Sequence, residues 1–394
     1  MAHSDVVIIG GGSTGSSVAF QLARRFHDED GHRRVLLVER DTVGAGPTSK
    51  SIGIIRLHYS YEPLVRMAQR SLTLFSDFVN VTGGTADFAQ IGFLLLVSDS
   101  QMPTLRENVS LQHRLGIRSE ILTPQEVADL DSRLAVDDAG GAAWEPDSGF
   151  ADGYATATSF AAAARRWGAE VWEGTAVSGI EVAGGRVRSV TTSRGVVETP
   201  SVLIAAGPWT PALLAPLGID VPIVSARQQV VQLAPPREFG RLRFVVEDLI
   251  QGLFVRPEAG GTVLAGVLEE DAGDIVSPDT FRRGVDFDYV EHVGGMWAHR
   301  FPQAAHGEVR GGYASLYDVT PDWQPVLGAV EEIDGLFVAA GFSGHGFKLS
   351  PALGEVLAAL ILGERPAIDV SIFRLTRFAD GALLRGHHAQ GILG

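Results

Sequence analysis

The sequence predicts an α/β fold in which two domains are interleaved along the chain, and three observations lead to this prediction. A glycine-rich strand–turn–helix unit opens the chain, buried strands that end in glycine recur near its middle and its end, and alternating apolar and polar segments lie between them. A chain of 394 residues also exceeds one ordinary hydrophobic core. We therefore expect one open sheet assembled from distant parts of the sequence and a second, antiparallel sheet.

The first forty residues form a βαβ unit that matches the dinucleotide-binding fingerprint. An apolar run over residues 5–9 predicts a buried strand, the glycine-rich turn over 10–15 follows it, and apolar residues at helical spacing continue from there. A second apolar run over 35–38 ends at Glu39, an acidic residue that can accept hydrogen bonds from the hydroxyls of an adenosine ribose. A glutamate rather than an arginine at this position favours FAD or NAD over NADP.

Three glycines of the turn have separate physical tasks. Gly10 permits the tight turn, Gly12 lets the backbone approach a pyrophosphate, and Gly15 lets the helix pack closely on the strand. The unpaired N–H groups at the start of the helix, where Ser13 and Thr14 lie, are expected to bind phosphate. The alternative, a glycine-rich loop without function, explains neither the flanking strands nor the acid at the end of the second strand.

Composition narrows the classes of function. The formal net charge of −15 at pH 7 disfavours nucleic-acid partners and anionic membrane surfaces, and no apolar run approaches the roughly 18 residues of a membrane span. The chain has no cysteine, which excludes disulfides, cysteine-ligated metals and thioether links to a cofactor, and we expect no metal site. The first strand begins after four residues and leaves no room for a signal peptide, so we expect a cytoplasmic protein.

The lysines are rare and specifically placed. Of the 32 basic residues only Lys50 and Lys348 are lysines, and the rest are arginines. A bias toward arginine codons explains the scarcity but not the positions, because both lysines lie in glycine- and serine-rich loops. The planar arginine fork does not replace a compact, strongly hydrated ammonium. We therefore assign both lysines to cofactor loops.

The rest of the chain alternates between helical and strand-like patterns. Helices are predicted over 64–79, from the capping box at Thr123, over 155–167, over 279–300, and from Ser350-Pro351 to Leu360. Strands are predicted over 91–97, as a hairpin over 179–190, over 202–207, as alternating segments between 221 and 268, and over 336–340. The polar loop over 44–53 follows Glu39 and is a candidate second cofactor loop.

Several motifs occur in the order found in one enzyme family. They are the turn over 10–15, the strand over 202–207 followed by Pro208-Trp209, and the C-terminal segment over 341–348 with Thr320-Pro321-Asp322 upstream of it. Together they resemble the FAD-dependent amine oxidoreductases typified by D-amino-acid oxidase, and most closely the sarcosine oxidase and dimethylglycine oxidase branch. The resemblance spans nearly the whole chain.

The resemblance implies a Rossmann-type FAD-binding domain with an interleaved antiparallel-sheet substrate domain. We place the FAD-binding domain at residues 1–85, 150–220 and 320–394, and the substrate domain at 86–149 and 221–319. The expected cofactor-binding residues are Gly10, Gly12, Ser13, Thr14, Gly15, Glu39, Arg40, Ser49, Lys50, Ser51, Val177, Ala206, Gly207, Trp209, Gly341, Gly344, His345, Gly346, Phe347 and Lys348.

In that branch the residues that match Arg56 and Lys348 hold the substrate carboxylate. Two fixed cations beside a helix N-terminus after Ser350 also suit an anion on physical grounds. The alternative for Arg56 is a surface ion pair. His345 is assigned to the flavin loop, with a direct catalytic part and a purely structural role both left open. Lys348 and the loop amides can also stabilise negative charge on the reduced flavin.

Several departures from the branch matter for the chemistry. No cysteine stands in the segment 313–317 and no histidine in the loop 47–53, so FAD is expected to be non-covalent. Gly53 stands where the branch has an arginine. The segment 262–267 lacks the lysine that assists oxygen reduction in that branch, which leaves the electron acceptor open, with Lys50 as a substitute source of positive field.

The resemblance implies FAD-dependent oxidation of the C–N bond of a secondary or tertiary amino acid, with hydride transfer from the α-carbon to flavin N5 and hydrolysis of the imine by water. The expected partners are a small amine that carries a carboxylate and an electron acceptor, for which we favour oxygen and hence an oxidase over a dehydrogenase. The alternative is a flavin-bearing subunit of a heteromeric dehydrogenase that passes electrons to a partner. A nicotinamide-dependent dehydrogenase is a third hypothesis.

Overall fold

A six-stranded sheet assembled from distant parts of the chain forms the centre of the computed structural model, which describes residues 2–29, 32–268, 272–384 and 386. Its strands, in spatial order, are Glu170–Trp172, Val35–Val38, Val6–Ile9, Val202–Ile204, Leu336–Ala340 and Val326–Ala329. The first five are parallel, and the last is an antiparallel edge strand. The predicted α/β class is confirmed.

Two layers cover this sheet, one on each face. One set of alternate strand residues, such as Ile8 and Leu37, packs against the helices Ser13–Glu29, Glu62–Ser76, Phe78–Thr82, Gly153–Arg166 and Gly346–Ile361. The other set, such as Val7 and Val338, packs against a four-stranded sheet of Ala2–His3, Gly195–Glu198, Arg186–Thr192 and Val177–Ala183, and against the helix Thr210–Leu214. Because both faces are buried, the central strands are continuous apolar runs rather than alternating ones.

A second large sheet has eight strands. In spatial order they are Glu308–Val319, Val224–Ala234, Val263–Val267, Leu253–Pro257, Val245–Asp248, Phe93–Val97, Gly141–Glu145 and Glu120–Leu122. All neighbours are antiparallel except Val245–Asp248 and Phe93–Val97, which run parallel. The helices Pro124–Leu130 and Phe287–Arg300 pack on one face, and Met102–Arg114 packs on the other.

A small sheet of Ile54–Ile55, Gly149–Phe150 and Ala89–Gln90 completes the strands of the described chain. No helix in the described residues is long and apolar enough to cross a membrane. The domain boundaries drawn from the sequence stay a prediction. Within them, residues 1, 30, 31, 269–271, 385 and 387–394 lie outside the described residues.

Three predicted helices differ from those observed. The helix predicted over 64–79 forms two helices, Glu62–Ser76 and Phe78–Thr82, which are separated by Asp77. The helix predicted over 279–300 begins only at Phe287, because the side chain of Arg227 donates hydrogen bonds to the carbonyls of Arg282 and Gly284 and forms an ion pair with Asp286. These tertiary contacts hold residues 282–286 outside the helix.

The C-terminal helix begins at Gly346 rather than at Ser350 and contains Pro351 in its interior. Proline lacks the N–H that would bond to the carbonyl of Phe347 four residues earlier. The hydroxyl of Ser350 donates to that carbonyl instead, at 2.8 Å. The predicted helix N-terminus after Ser350 is therefore wrong, and the N-terminus lies in the glycine motif itself.

Candidate functional site

A cavity of about 400 Å³ opens at the carboxyl ends of the parallel strands, where open α/β sheets bind their ligands. Both large sheets contribute to its wall. The first sheet and its loops supply the turn over 10–14 and the segment 205–209, and the second sheet supplies residues such as Val230 and Phe254. The cavity therefore lies where the two interleaved parts of the chain meet.

The glycine turn has the geometry that its sequence predicts. Gly10 has a φ of 111°, and a Cβ there would lie 2.3 Å from the carbonyl oxygen of Ala205. A Cβ on Gly15 would lie 2.0 Å from the carbonyl oxygen of Gly10. Gly15 is therefore a packing residue behind the cavity, while Gly10, Gly12, Ser13 and Thr14 line it.

Glu39 lies on the cavity wall with its carboxylate fixed by the backbone. One oxygen accepts the N–H of Gly11 at 2.7 Å, and the other accepts the N–H of Asp41 at 2.8 Å. Each carboxylate oxygen can accept more than one hydrogen bond. The side chain is thus oriented while keeping capacity for ribose hydroxyls.

Arg40 and Trp209 form a rim on this cavity together with Asp279, a residue that sequence reasoning missed. The Arg40 guanidinium lies 4.5 Å from the centroid of the Trp209 ring and 3.1 Å from the Asp279 carboxylate. The indole N–H of Trp209 donates to Asp279 at 2.8 Å. This hydrogen bond, and then the bond and charge of Arg40, lower the pKa of Asp279.

Most of the other predicted cofactor residues also line the cavity: Lys50, Ser51, Val177, Ala206, Gly207, Gly344, Gly346 and Phe347. Ser49 does not, because its hydroxyl donates to the carbonyl of Gly46 within a short turn, and the neighbouring Thr48 lines the cavity instead. Gly341 also lies off the cavity and has a φ of 68°. The roles assigned to these residues stay predictions.

Asp318 lines the cavity and carries no motif by which the sequence could have singled it out. Its carboxylate accepts the N–H of Gly341 at 2.7 Å, and its carbonyl accepts the N–H of Ser343. Burial raises the pKa of Asp318 to about 6. The residue ties the strand Glu308–Val319 to the C-terminal glycine motif.

Five buried side chains form a polar cluster beside the cavity: Arg56, Tyr59, Glu247, His345 and Lys348. The Nε of Arg56 lies 3.2 Å from a Glu247 carboxylate oxygen, and its guanidinium lies 4.5 Å from the centroid of the Tyr59 ring. The Tyr59 ring is 5.5 Å from that of His345. The ion pair of Arg56 is thus buried rather than on the surface. Arg56, His345 and Lys348, three of the four predicted catalytic residues, belong to this cluster, whereas the fourth, Lys50, lies on the cavity wall.

The polar cluster contains groups without partners in the part of the chain that the structure describes. The Tyr59 hydroxyl and both ring nitrogens of His345 make no hydrogen bond there, although both side chains are fully buried. The Lys348 ammonium has neither a hydrogen bond nor a close ion pair among the described residues. Since buried polar groups normally have partners, this arrangement suits a polar ligand.

Burial also sets the charges of the polar cluster. It lowers the pKa of His345 well below the ordinary range, assisted by the nearby Lys348 and Arg56, so the imidazole is neutral. Burial lowers the pKa of Lys348 to about 7, with Arg56 lowering it further and Glu247 opposing the shift. A bound anion would favour the protonated lysine.

The negative charge of a second buried carboxylate, that of Glu145, also raises the pKa of Arg56. Neighbouring groups already donate hydrogen bonds to both oxygens of Glu145. It accepts the N–H of Leu57 at 2.8 Å, the hydroxyl of Ser148 at 2.7 Å and the side-chain amide of Gln112 at 2.6 Å. Glu145 therefore has a structural role behind the cluster. Burial is the main effect on its pKa, which is raised.

The departures found in the sequence have structural counterparts. Gly53 has a φ of 72°, and a Cβ there would lie 1.9 Å from the carbonyl oxygen of Ala151, so no arginine fits at this position. Lys50 lies on the cavity wall with its ammonium 5.8 Å from the centroid of the Tyr313 ring. No group of three or more metal-ligating side chains occurs among residues 2–29, 32–268, 272–384 and 386.

Comparisons with known proteins agree with this geometry. A family model described as FAD dependent oxidoreductase matches residues 5–360. The chain is 28% identical to the glycine oxidase of Geobacillus kaustophilus, over 96% of this chain and 98% of that protein. It is also 28% identical to the mitochondrial sarcosine dehydrogenase of Mus musculus, over 95% of this chain but 41% of that protein.

The crystal structure of L-proline dehydrogenase from P. horikoshii superposes with a TM-score of 0.87 at 28% identity, over 96% of this chain and 99% of that one. These matches confirm the resemblance and the fold class predicted from the sequence motifs. The chain belongs to the DAO family of FAD dependent oxidoreductases.

Proposed function

We propose that this enzyme oxidises the C–N bond of a secondary or tertiary α-amino acid. When bound, FAD supplies the electron acceptor for a hydride from the substrate α-carbon. The residues of the chain bind the substrate, orient it and exclude water from the reacting bond. The observation that supports the proposal best is the polar cluster, which gathers two cations in a buried site beside the cofactor cavity.

The residues of the cavity fit FAD. A Cβ at Gly10 or Gly15 would clash with backbone atoms. Only glycine therefore fits at these two positions of the tight turn, as in turns that bind a pyrophosphate. Glu39 presents an oriented carboxylate for the adenosine ribose. With no cysteine in the chain and no histidine in the loop 47–53, we propose that FAD is held without a covalent bond.

The polar cluster supports a substrate that carries a carboxylate. Lys348 presents an ammonium without a partner in the described chain, on the first turn of the helix Gly346–Ile361, whose N-terminus also favours an anion. Arg56 adds a second positive charge that is always present. Glycine, sarcosine and L-proline, the compounds in the names of the related proteins, are all α-amino acids, and the latter two are secondary amines.

The test is the absorbance spectrum of the purified enzyme during anaerobic addition of amines. N-methylated amino acids and cyclic secondary amino acids are expected to bleach the flavin bands, whereas the matching amines without a carboxylate do so only at much higher concentration. Bleaching by the amines and the amino acids at equal concentrations contradicts the carboxylate site. A spectrum without flavin bands, or bleaching by nicotinamide cofactors alone, contradicts the proposed reaction.

The electron acceptor belongs to the same proposal. The related proteins include an oxidase and dehydrogenases by name. We propose oxygen as the acceptor, because Lys50 brings a cation to the cavity wall and positive charge stabilises reduced oxygen species. The cytoplasmic location stays a prediction from the sequence.

A further inference from the structure

We infer that Glu247 determines substrate specificity by accepting a hydrogen bond from an N–H of the substrate's amine or ammonium group, so that the pocket selects dipolar amino acids over simple carboxylic acids. This inference rests on the proposed function, since it concerns the same pocket. It assigns Glu247 a role that no motif in the sequence indicates.

The strand register places Glu247 on the side of the cavity. Glu247 lies directly opposite Phe254 in the antiparallel pair formed by Val245–Asp248 and Leu253–Pro257. Directly opposed residues point to the same face of a sheet, and Phe254 is part of the cavity wall. The Glu247 carboxylate therefore faces the space between the second sheet and the cofactor cavity, where Arg56 and Lys348 also lie.

One oxygen of the buried Glu247 carboxylate has no hydrogen-bond donor among the described residues. Glu247 is 4% exposed, and its Oε2 accepts no hydrogen bond from the described residues, although Arg56 lies 3.2 Å away. The equally buried Glu145 accepts three hydrogen bonds. A buried carboxylate oxygen without a hydrogen-bond donor is energetically costly. An N–H group from a ligand would supply the missing donor to Glu247, whereas Glu145 already has its donors.

The polar cluster presents both signs of charge, with Arg56 and Lys348 positive and Glu247 negative. Arg56 and Lys348 attract a carboxylate, and Glu247 attracts an ammonium or an amine N–H on the neighbouring atom. A carboxylic acid without an amine places a second negative charge next to Glu247. The repulsion between the two carboxylates weakens its binding. An α-amino acid satisfies both signs of charge at once.

A matched pair of ligands isolates this effect. N-methylglycine and methoxyacetate have the same shape and carboxylate, but an ether oxygen replaces the amine N–H in methoxyacetate. Calorimetry gives the Kd of methoxyacetate on the FAD-loaded enzyme. The concentration dependence of anaerobic flavin reduction gives that of N-methylglycine, or calorimetry does so if no reduction occurs.

The Glu247→Gln variant is expected to shift the two ligands in opposite directions. Methoxyacetate binds about tenfold tighter because the repulsion is lost, and N-methylglycine binds about tenfold weaker because a charged acceptor is lost. Glu247→Asp keeps the charge and preserves the wild-type order of the two affinities. Glu145→Gln, the matched control, makes the same chemical change in a saturated carboxylate and leaves the ratio of the two Kd values unchanged.

Parallel shifts of both ligands in Glu247→Gln, or an equal change of the ratio in Glu145→Gln, overturn the inference. If Glu247→Gln does not retain FAD, the double variant Arg56→Gln/Glu247→Gln replaces it, since it removes both members of the ion pair. The ratio of the methoxyacetate Kd to the N-methylglycine Kd must fall there as well, and an unchanged ratio overturns the inference. If the wild-type enzyme oxidises no amino acid, the proposed function fails, and this outcome is distinct from an unchanged ratio.

Discussion

At the scale of single residues, the two predicted carboxylate-binding cations are not equivalent. Arg56 is engaged by Glu247 and by the carbonyl of His58, so its removal strands a buried carboxylate and disturbs the fold as well as the pocket. Lys348 has no hydrogen bond or close ion pair within the described chain. Substitution of Lys348 is therefore expected to change substrate binding without disturbing the stability of the fold.

Lys348→Met keeps the length and apolar stem of the side chain and removes its charge. We expect KM for the amino acid to rise about ten- to hundredfold, because a charge-assisted hydrogen bond contributes roughly 1.5–3 kcal/mol. KM for the decarboxylated amine is expected to change little. Steady-state kinetics with both compounds checks this, and equal losses for the two compounds contradict a carboxylate contact at Lys348.

Lys348 should also make KM for the amino acid depend on pH in the wild-type enzyme. Because burial lowers the pKa of Lys348 to about 7, the free enzyme loses this positive charge as the pH rises above that value. KM for the amino acid is therefore expected to rise between pH 7 and 9, and this rise should be absent in Lys348→Met. A pH profile of KM that is the same in the two enzymes contradicts the assignment.

At the scale of elements, the rim of Arg40, Trp209 and Asp279 joins a loop of the first sheet to the segment that precedes the helix Phe287–Arg300. Asp279→Ala removes an ion pair and a hydrogen bond beside the cavity. We expect FAD to bind about three- to tenfold more weakly, as measured by fluorescence titration of the apoenzyme. Glu364→Ala, which breaks the exposed ion pair with Arg25 away from the cavity, serves as the control and should leave FAD affinity unchanged.

Local sequence patterns predicted most of the elements that build the cofactor side of the site. The apolar runs predicted the strands Val35–Val38 and Leu336–Ala340 with their observed bounds, and the capping box at Thr123 marks the start of a helix. The patterns failed where distant side chains intervene. Arg227 holds residues 282–286 out of a helix, and Ser350 lets the last helix pass through a proline.

The substrate side of the site was less accessible from the sequence. Motifs identified the candidates Arg56, His345 and Lys348, whereas Glu247 and Phe254 are placed by the pairing of two strands that carry no motif. Such a pairing depends on long-range register, which local periodicity does not encode. Several positions that sequence reasoning missed, such as Glu247, Phe254 and Asp318, are contributed by the second sheet.

At the scale of the whole molecule, the cavity proposed for FAD lies where the two large sheets meet, so bound FAD should stabilise both. Without a cysteine for a thioether bond, we expect acid precipitation to release all of the flavin into the supernatant. The apoenzyme should then unfold at a lower temperature than the holoenzyme, by an amount that shrinks as FAD is added back, because a ligand stabilises the state that binds it. A protein pellet that stays yellow contradicts non-covalent binding.

The electron acceptor decides how the enzyme works as a whole, and Lys50 is the residue that tests it. No lysine occurs on the strand Val263–Val267, so a cation that assists oxygen reduction has to come from elsewhere, and Lys50 lies on the cavity wall. We expect the reduced enzyme to be reoxidised rapidly by air, and Lys50→Met to slow this step at least tenfold while the rate of anaerobic reduction stays the same. Stopped-flow measurement of both half-reactions separates the two effects. Reoxidation over many minutes in the wild-type enzyme, together with fast turnover in the presence of an artificial dye, would instead identify a dehydrogenase that passes its electrons to a partner.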